Sequence, residues 1–176
     1  AVDQPSPFEE FRQVDAMAAI ERNGGNLELG IREVLEVEAP LSEELLLKRI
    51  VAVFGRKSVT KVVLREYEQR MAGCLRNGIV RRDGFLYLSG QSAIDLRVPG
   101  VRREVRHVAL DELAAGMLVL IGQNGSVTRD GLYRALGELL GYKRTGPAIA
   151  DRFDEALLRL TTHDIVTLQD DVLTIA

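Results

Sequence analysis

Ten consecutive residues near the middle of the chain, Arg56-Lys57-Ser58-Val59-Thr60-Lys61-Val62-Val63-Leu64-Arg65, hold four cations and no carboxylate. Lys61 and Arg65 are four apart, so on a helix they share a face. Ser58 and Thr60 add hydroxyls, and the unpaired amides of a helix N-terminus add oriented donors. Together these groups have the chemistry to hold anions, phosphate above all. A second basic pair, Arg81-Arg82, stands beside Asp83-Gly84, and a third group, Lys143-Arg144-Thr145, follows Gly141.

Other chemistry is poorly provided for. Cys74 is the single cysteine, and His107 and His163 are the only histidines, too few for a disulfide framework or a Cys/His zinc site. Cys74 is expected in the core, and the two histidines at the surface or at helix caps. Glu9-Glu10, Glu43-Glu44 and Asp170-Asp171 are adjacent pairs, which do not share a helix face and are expected to be solvated. No Gly-Lys-Ser/Thr phosphate loop and no Gly-x-Ser-x-Gly elbow occurs. The expectation is a segment with no catalytic residue, metal or cofactor.

The net charge of −3 disfavours polyanions at first sight, but its distribution does not. Residues 1–55 hold 5 basic and 11 acidic side chains, 56–107 hold 12 and 5, and 108–176 hold 6 and 10. Local potential, not the total, attracts phosphate. The 176 residues are 46% hydrophobic and 28% charged, a globular composition. No apolar run approaches the roughly 20 residues of a membrane span, and no signal-like segment opens the chain, so no membrane and a cytoplasmic location are expected. The chain opens at Ala1 without a methionine, which predicts a piece of a longer polypeptide.

The elements that must carry these residues come from an internal repeat. Displacing the chain by 86 positions sets Leu41-Ser42 on Val127-Thr128, Leu46 on Leu132, Ile50 on Leu136, Gly55 on Gly141 and Lys57 on Lys143. Val63, Tyr67, Met71 and Cys74 then fall on Ile149, Phe153, Leu157 and Leu160, and Ile79-Val80 on Ile165-Val166. One residue inserted in the second turn brings Phe85-Leu86 onto Val172-Leu173. Each copy reads as a helix (Ile31-Val34-Leu35; Leu113-Met117-Leu120-Ile121), then a second helix capped by Ser42 or Thr128 and stopped by Gly55 or Gly141. A third helix follows, with Val59 counted among its core positions in the first copy and Pro147 at its start in the second. Last comes a hairpin, around Asp83-Gly84 or Gln169-Asp170-Asp171.

Three helices and a hairpin, made twice, predict a mainly α fold with short β-hairpins (α+β), built as tandem winged helix-turn-helix repeats. The expected organisation is an N-terminal helical segment over 1–25, a first winged-helix domain over 26–90, an exposed basic linker over 91–107 and a second domain over 108–176. Within the first segment, Ser6-Pro7-Phe8-Glu9-Glu10 reads as a helix start, with Phe8, Phe11, Val14 and Ala18 set to pack on a neighbour.

Several motifs carry a resemblance to a family. Gly141-Tyr142-Lys143-Arg144-Thr145-Gly146 with Ile149 and Ala156-Leu157, together with Val34-Leu35-Glu36-Val37-Glu38-Ala39-Pro40, is similar to the C-terminal domain of unknown function DUF3320. So are the Arg97-Val98-Pro99 link and the start at Val108-Ala109-Leu110-Asp111-Glu112. The similarity spans about residues 28–175. It implies a parent chain that is a bacterial superfamily 1 helicase-like protein, with its ATP-driven motor, and often a Vsr-like nuclease segment, upstream. It supplies no established role for the tail. The first copy departs from Lys-Arg-Thr-Gly with Lys57-Ser58-Val59-Thr60.

The expected function is a non-catalytic module that binds or positions duplex DNA through its phosphates, beside helicase or nuclease domains of the same chain. Arg56, Lys57, Ser58, Thr60, Lys61 and Arg65 at the third helix of the first copy, with Arg81 and Arg82 on its wing, are the main expected contacts. Lys143, Arg144 and Thr145 are lesser ones, because Asp151, Asp154 and Glu155 replace the basic helix face in the second copy. The rival expectation is a protein-interaction or dimerisation adaptor, with a homodimer as one form.

Overall fold

The computed structural model describes residues 7–91 and 93–176, so Ser6 of the expected helix start lies outside the described residues. The fold is α+β, with small sheets of short strands among helices. The described residues divide into two compact units, one within 12–91 and one made of 7–11 with 93–176.

The first unit opens with α1 (Ala16–Arg22) and α2 (Leu27–Glu38). Asp15 and Asn26 start them, each side chain accepting a backbone N–H three residues on, which satisfies amides that lack intrahelical partners. The two helices press together at Gly30, where a Cβ would stand 2.7 Å from the Ile20 Cα. Then follow β2 (Leu41–Ser42), α3 (Glu43–Ile50), a 3-10 turn over Val51–Phe54, α4 (Lys61–Arg76), β3 (Ile79–Arg82) and β4 (Phe85–Leu88). The sheet order is β2-β4-β3. Asp83 and Gly84 both take positive φ, as a two-residue hairpin turn requires. Ile31, Val34, Leu46, Ile50, Val63, Tyr67, Met71, Cys74 and Leu86 form the core, so the expected stripes of all three helices meet there.

The second unit repeats the order from its own first helix onward: α5 (Leu110–Asn124), β6 (Val127–Thr128), α6 (Arg129–Leu139), α7 (Pro147–Thr162), β7 (Val166–Gln169) and β8 (Val172–Ile175), with sheet order β6-β8-β7. Thr128 caps α6 as Ser42 caps α3. The core gathers Leu113, Met117, Ile121, Leu132, Leu136, Phe153, Leu157, Leu160 and Leu173. To it the unit adds a parallel pair of β1 (Glu9–Phe11) and β5 (Arg97–Pro99).

The structure corrects four local expectations. Residues 9–11 are a strand, not the first turn of a helix; the helix waits for the Asp15 cap. The segment 91–107 is not simply exposed: Leu96, Arg97, Arg103 and His107 are buried in the second unit, so His107 is not a surface histidine. The inserted residue of the second copy lies between α7 and β7, where Asp164 takes positive φ, and both hairpins turn on two residues. Val166, not Ile165, therefore occupies the inward place of Ile79. Val59 lies ahead of α4 and is exposed, because Thr60 caps the helix one residue later.

Candidate nucleic-acid interface

Thr60 opens α4 by accepting the Val63 amide at 3.3 Å, so it serves the helix first. Ahead of it, Arg56, Lys57 and Ser58 are exposed in the loop that follows Gly55. Lys61 and Arg65 are exposed one turn apart on α4, while Val63 and Tyr67 turn to the core. Among the described residues none of Arg56, Lys57, Lys61 and Arg65 has a carboxylate partner. The loop and first turns of α4 thus carry four uncompensated cations beside a helix N-terminus, which adds its own partial positive charge.

The wing is different from expectation. Arg81 Nε and Nη2 donate to the two oxygens of Glu43 at 2.8 Å, and Nη1 and Nη2 donate to Glu68 at 2.9 and 3.0 Å. Tyr67 Oη also donates to Glu43, at 2.7 Å. Hydrogen bonds to Glu43 first, then to Glu68, hold the Arg81 guanidinium above its ordinary pKa. Burial, reinforced by Glu43, raises the Tyr67 phenol. Two carboxylates already surround Arg81, so its guanidinium is engaged within the fold. It ties the wing to α3 and α4 instead. Arg82 is exposed with its guanidinium 4.2 Å from the centre of the Tyr87 ring, a cation–π contact.

Lys143, Arg144 and Thr145 are exposed at the α6–α7 connection and line a groove of about 500 Å³. Asp130 and Glu138 share its walls, with Arg134 and Tyr142, so the positive charge there is diluted. Gly146 precedes α7 and offers no side-chain cap. Past that point α7 presents Asp151, Asp154 and Glu155.

The face of α4 is also apolar. Val59, Val62 and Leu64 are each more than a third exposed. Val59 and Leu64 border a groove of about 380 Å³ between α3 and α4, with Leu47 and Tyr67 in it and Glu43, Glu44 and Glu68 on its rim. The basic surface therefore ends where this groove begins.

One buried cluster has no counterpart in the sequence pattern. Glu112, fully buried, receives Arg97 Nε at 2.9 Å and Arg103 Nη1 at 2.9 Å. Burial alone would raise its pKa, but the two guanidinium groups outweigh it and hold the carboxyl below its ordinary value. Phe11 lies under both, with ring-centre distances of 5.1 Å to Arg97 and 4.3 Å to Arg103. Tyr142 Oη donates to the Arg103 carbonyl at 2.7 Å, and burial pushes the phenol up to about 12. Half of the basic linker thus serves the fold. The only sequence signal was a shortage of apolar residues in a region that must join a core.

Among the described residues no helix is long and apolar enough to cross a membrane, and no group of three His, Cys, Asp or Glu could hold a metal. In comparisons with protein-family models, curated proteins and solved structures the chain matches none of them.

Proposed function

We propose that the two units are winged helices in tandem and that they form a non-catalytic module which binds or positions duplex DNA. The repeated order of helix, short strand, two helices and hairpin, with the short strand completing a three-stranded sheet, supports the winged-helix reading. On this reading the module belongs to the C-terminal part of a bacterial superfamily 1 helicase-like protein, as the DUF3320-like motifs imply, and works in the cytoplasm. The observation that carries DNA binding is the cluster Arg56, Lys57, Lys61 and Arg65: exposed, without carboxylate partners among the described residues, and gathered at one helix entry.

Lys61 and Arg65 contact phosphate from the helix, Arg56, Lys57 and Ser58 from the loop, and Arg82 from the wing. Lys143, Arg144 and Thr145 add a lesser contact. Phosphate contacts position a protein without specifying sequence, so binding is weakly selective. Four phosphates neutralised by Arg56, Lys57, Lys61 and Arg65 alone give a slope of log affinity on log salt near −3.6, a loss of roughly a hundredfold between 50 and 200 mM salt. Titration of a labelled duplex at those two salt concentrations reads this directly. Lys61→Glu with Arg65→Glu weakens binding by at least about tenfold and flattens the slope; a salt-independent affinity, or an unaffected double variant, defeats the reading.

A second reading, a protein-interaction adaptor, is favoured by one observation: the same helix exposes Val62 and Leu64. On DNA these side chains would stay at the duplex surface, whereas a protein partner would bury them.

A further inference from the structure

The two units carry opposite charges at corresponding places. In the 86-residue register Arg65 on α4 corresponds to Asp151 on α7, and both are exposed. Neither has an ion-pair partner among the described residues. Around Arg65 stand Lys61, Val62 and Leu64. Around Asp151 stand Glu155 and, one turn further, Leu158, which is 64% exposed. Arg152 turns partly inward, donating to the Val108 carbonyl at 2.8 Å and standing 3.8 Å from the Glu155 carboxylate, so Asp151 is the carboxylate of this face that has no cation beside it among the described residues.

The wings reinforce the contrast. Where the first unit places Arg81 against Glu43 and Glu68, the corresponding strand position of the second unit holds Leu168, 37% exposed. Leu158 and Leu168 border a shallow groove of about 260 Å³ with Leu157 and Tyr133 in it. One unit therefore shows a helix face of cations beside valine and leucine, and the other a helix face of carboxylates beside two leucines. Each exposes apolar side chains that a partner would cover, and Arg65 and Asp151 each offer a charge of opposite sign that no partner among the described residues neutralises.

We infer that the α7 face of one chain docks on the α4 face of a second copy, with Arg65 and Lys61 against Asp151 and Glu155 and with Leu158 against Leu64, on one flank of the basic pair. The contact is heterologous: it closes as a dimer if both ends engage reciprocally and otherwise extends as a chain of copies. It uses the surface that the DNA reading assigns to phosphate, but it rests on the charge and exposure of the two faces and stands whether or not α4 meets DNA. If both hold, self-association covers the DNA surface and duplex dissolves the assembly.

A single helix face on each side makes a small interface, so sedimentation equilibrium of the full chain from roughly 1 to 200 µM, at about 50 and 500 mM salt, covers the relevant range. The average mass rises with concentration at low salt and falls back toward the monomer at high salt. Arg65→Asp and Asp151→Arg each raise the dissociation constant by about tenfold or more, since each sets like charges face to face. A mixture of the two single variants associates again, because one then offers only acidic faces and the other only basic ones. Circular dichroism of each variant checks that its helices are intact; both positions are exposed, and a pair that fails this check is replaced by Lys61→Glu with Glu155→Lys. A wild-type chain that stays monomeric at low salt, single variants that associate normally, or a mixture that does not associate overturns the inference. The duplex titration keeps the two ideas apart: Arg65→Asp weakens both DNA binding and self-association, whereas Asp151→Arg weakens self-association alone.

Discussion

Glu112 and Arg81 each answer to two partners, and the consequences run in opposite directions. Glu112 is sealed from solvent with Arg97 and Arg103 on it, so replacing it leaves two buried guanidinium groups without their carboxylate. Glu112→Gln is expected to cost about 3–5 kcal/mol in chemical denaturation of the second unit. The acid dependence has a definite sign. Because the folded carboxyl titrates below its ordinary value, the stabilisation is complete above the unfolded glutamate pKa of about 4.3 and is lost as pH falls through the lower folded value. Wild type and Glu112→Gln should therefore differ most at neutral pH and converge in acid; a constant difference from pH 7 to pH 3 would refute that assignment. Arg81 is only partly buried, and its role is to join wing, α3 and α4. Arg81 and Arg82 are identical in type and adjacent in sequence, and only the fold separates their surroundings. Glu43 stands 38 residues away and Glu68 13, and nothing in a one-dimensional pattern says that α3 and α4 bring both carboxylates to one strand.

Elements were the most legible level, because their signals are local. Ser42 and Thr128 cap helices, the Val63-Tyr67-Met71-Cys74 stripe is buried, and Asp83-Gly84 turns the hairpin, each for reasons held within a few residues. The errors fell at junctions. Val59 continued the apolar spacing of α4 on paper, yet a cap at Thr60 stops the helix before reaching it. Ile165-Val166 repeats Ile79-Val80 by type, but the loop from α7 to β7 is one residue longer than that from α4 to β3, and one residue exchanges the two faces of a strand. Helix packing adds a requirement that no periodicity shows. Gly30 lets α1 rest on α2, and a methyl there would meet the Ile20 backbone. Gly30→Ala is expected to destabilise the first unit by about 1–3 kcal/mol in a denaturant titration. An unchanged midpoint would mean that α1 and α2 are not held that closely.

The whole molecule departs most from the tandem arrangement read along the chain. β1 lies ahead of the first unit in sequence but belongs to the second, where it pairs with β5 and sets Phe11 beneath Arg97 and Arg103. Along the chain, the first unit is therefore an insertion between two segments of the second. Deleting residues 1–11 is expected to speed amide exchange at Leu96, Val98 and Arg103 and to leave the α3 and α4 amides unchanged, as hydrogen exchange measured residue by residue would show. Loss of protection in both units, or in neither, would contradict this division. By itself the sequence determined the helices, hairpins, caps and core stripes of both units, and the uneven charge that set Arg56–Arg65 apart from Asp151–Glu155. Spacing, local hydrogen bonding and composition suffice for these. Tertiary structure alone decided which cations are engaged in the fold and which strand completes which unit. The reason is that an ion pair or a strand pair depends on distance in space, and residues such as Arg81 and Glu43, or Phe11 and Arg103, are neighbours only after the core has formed.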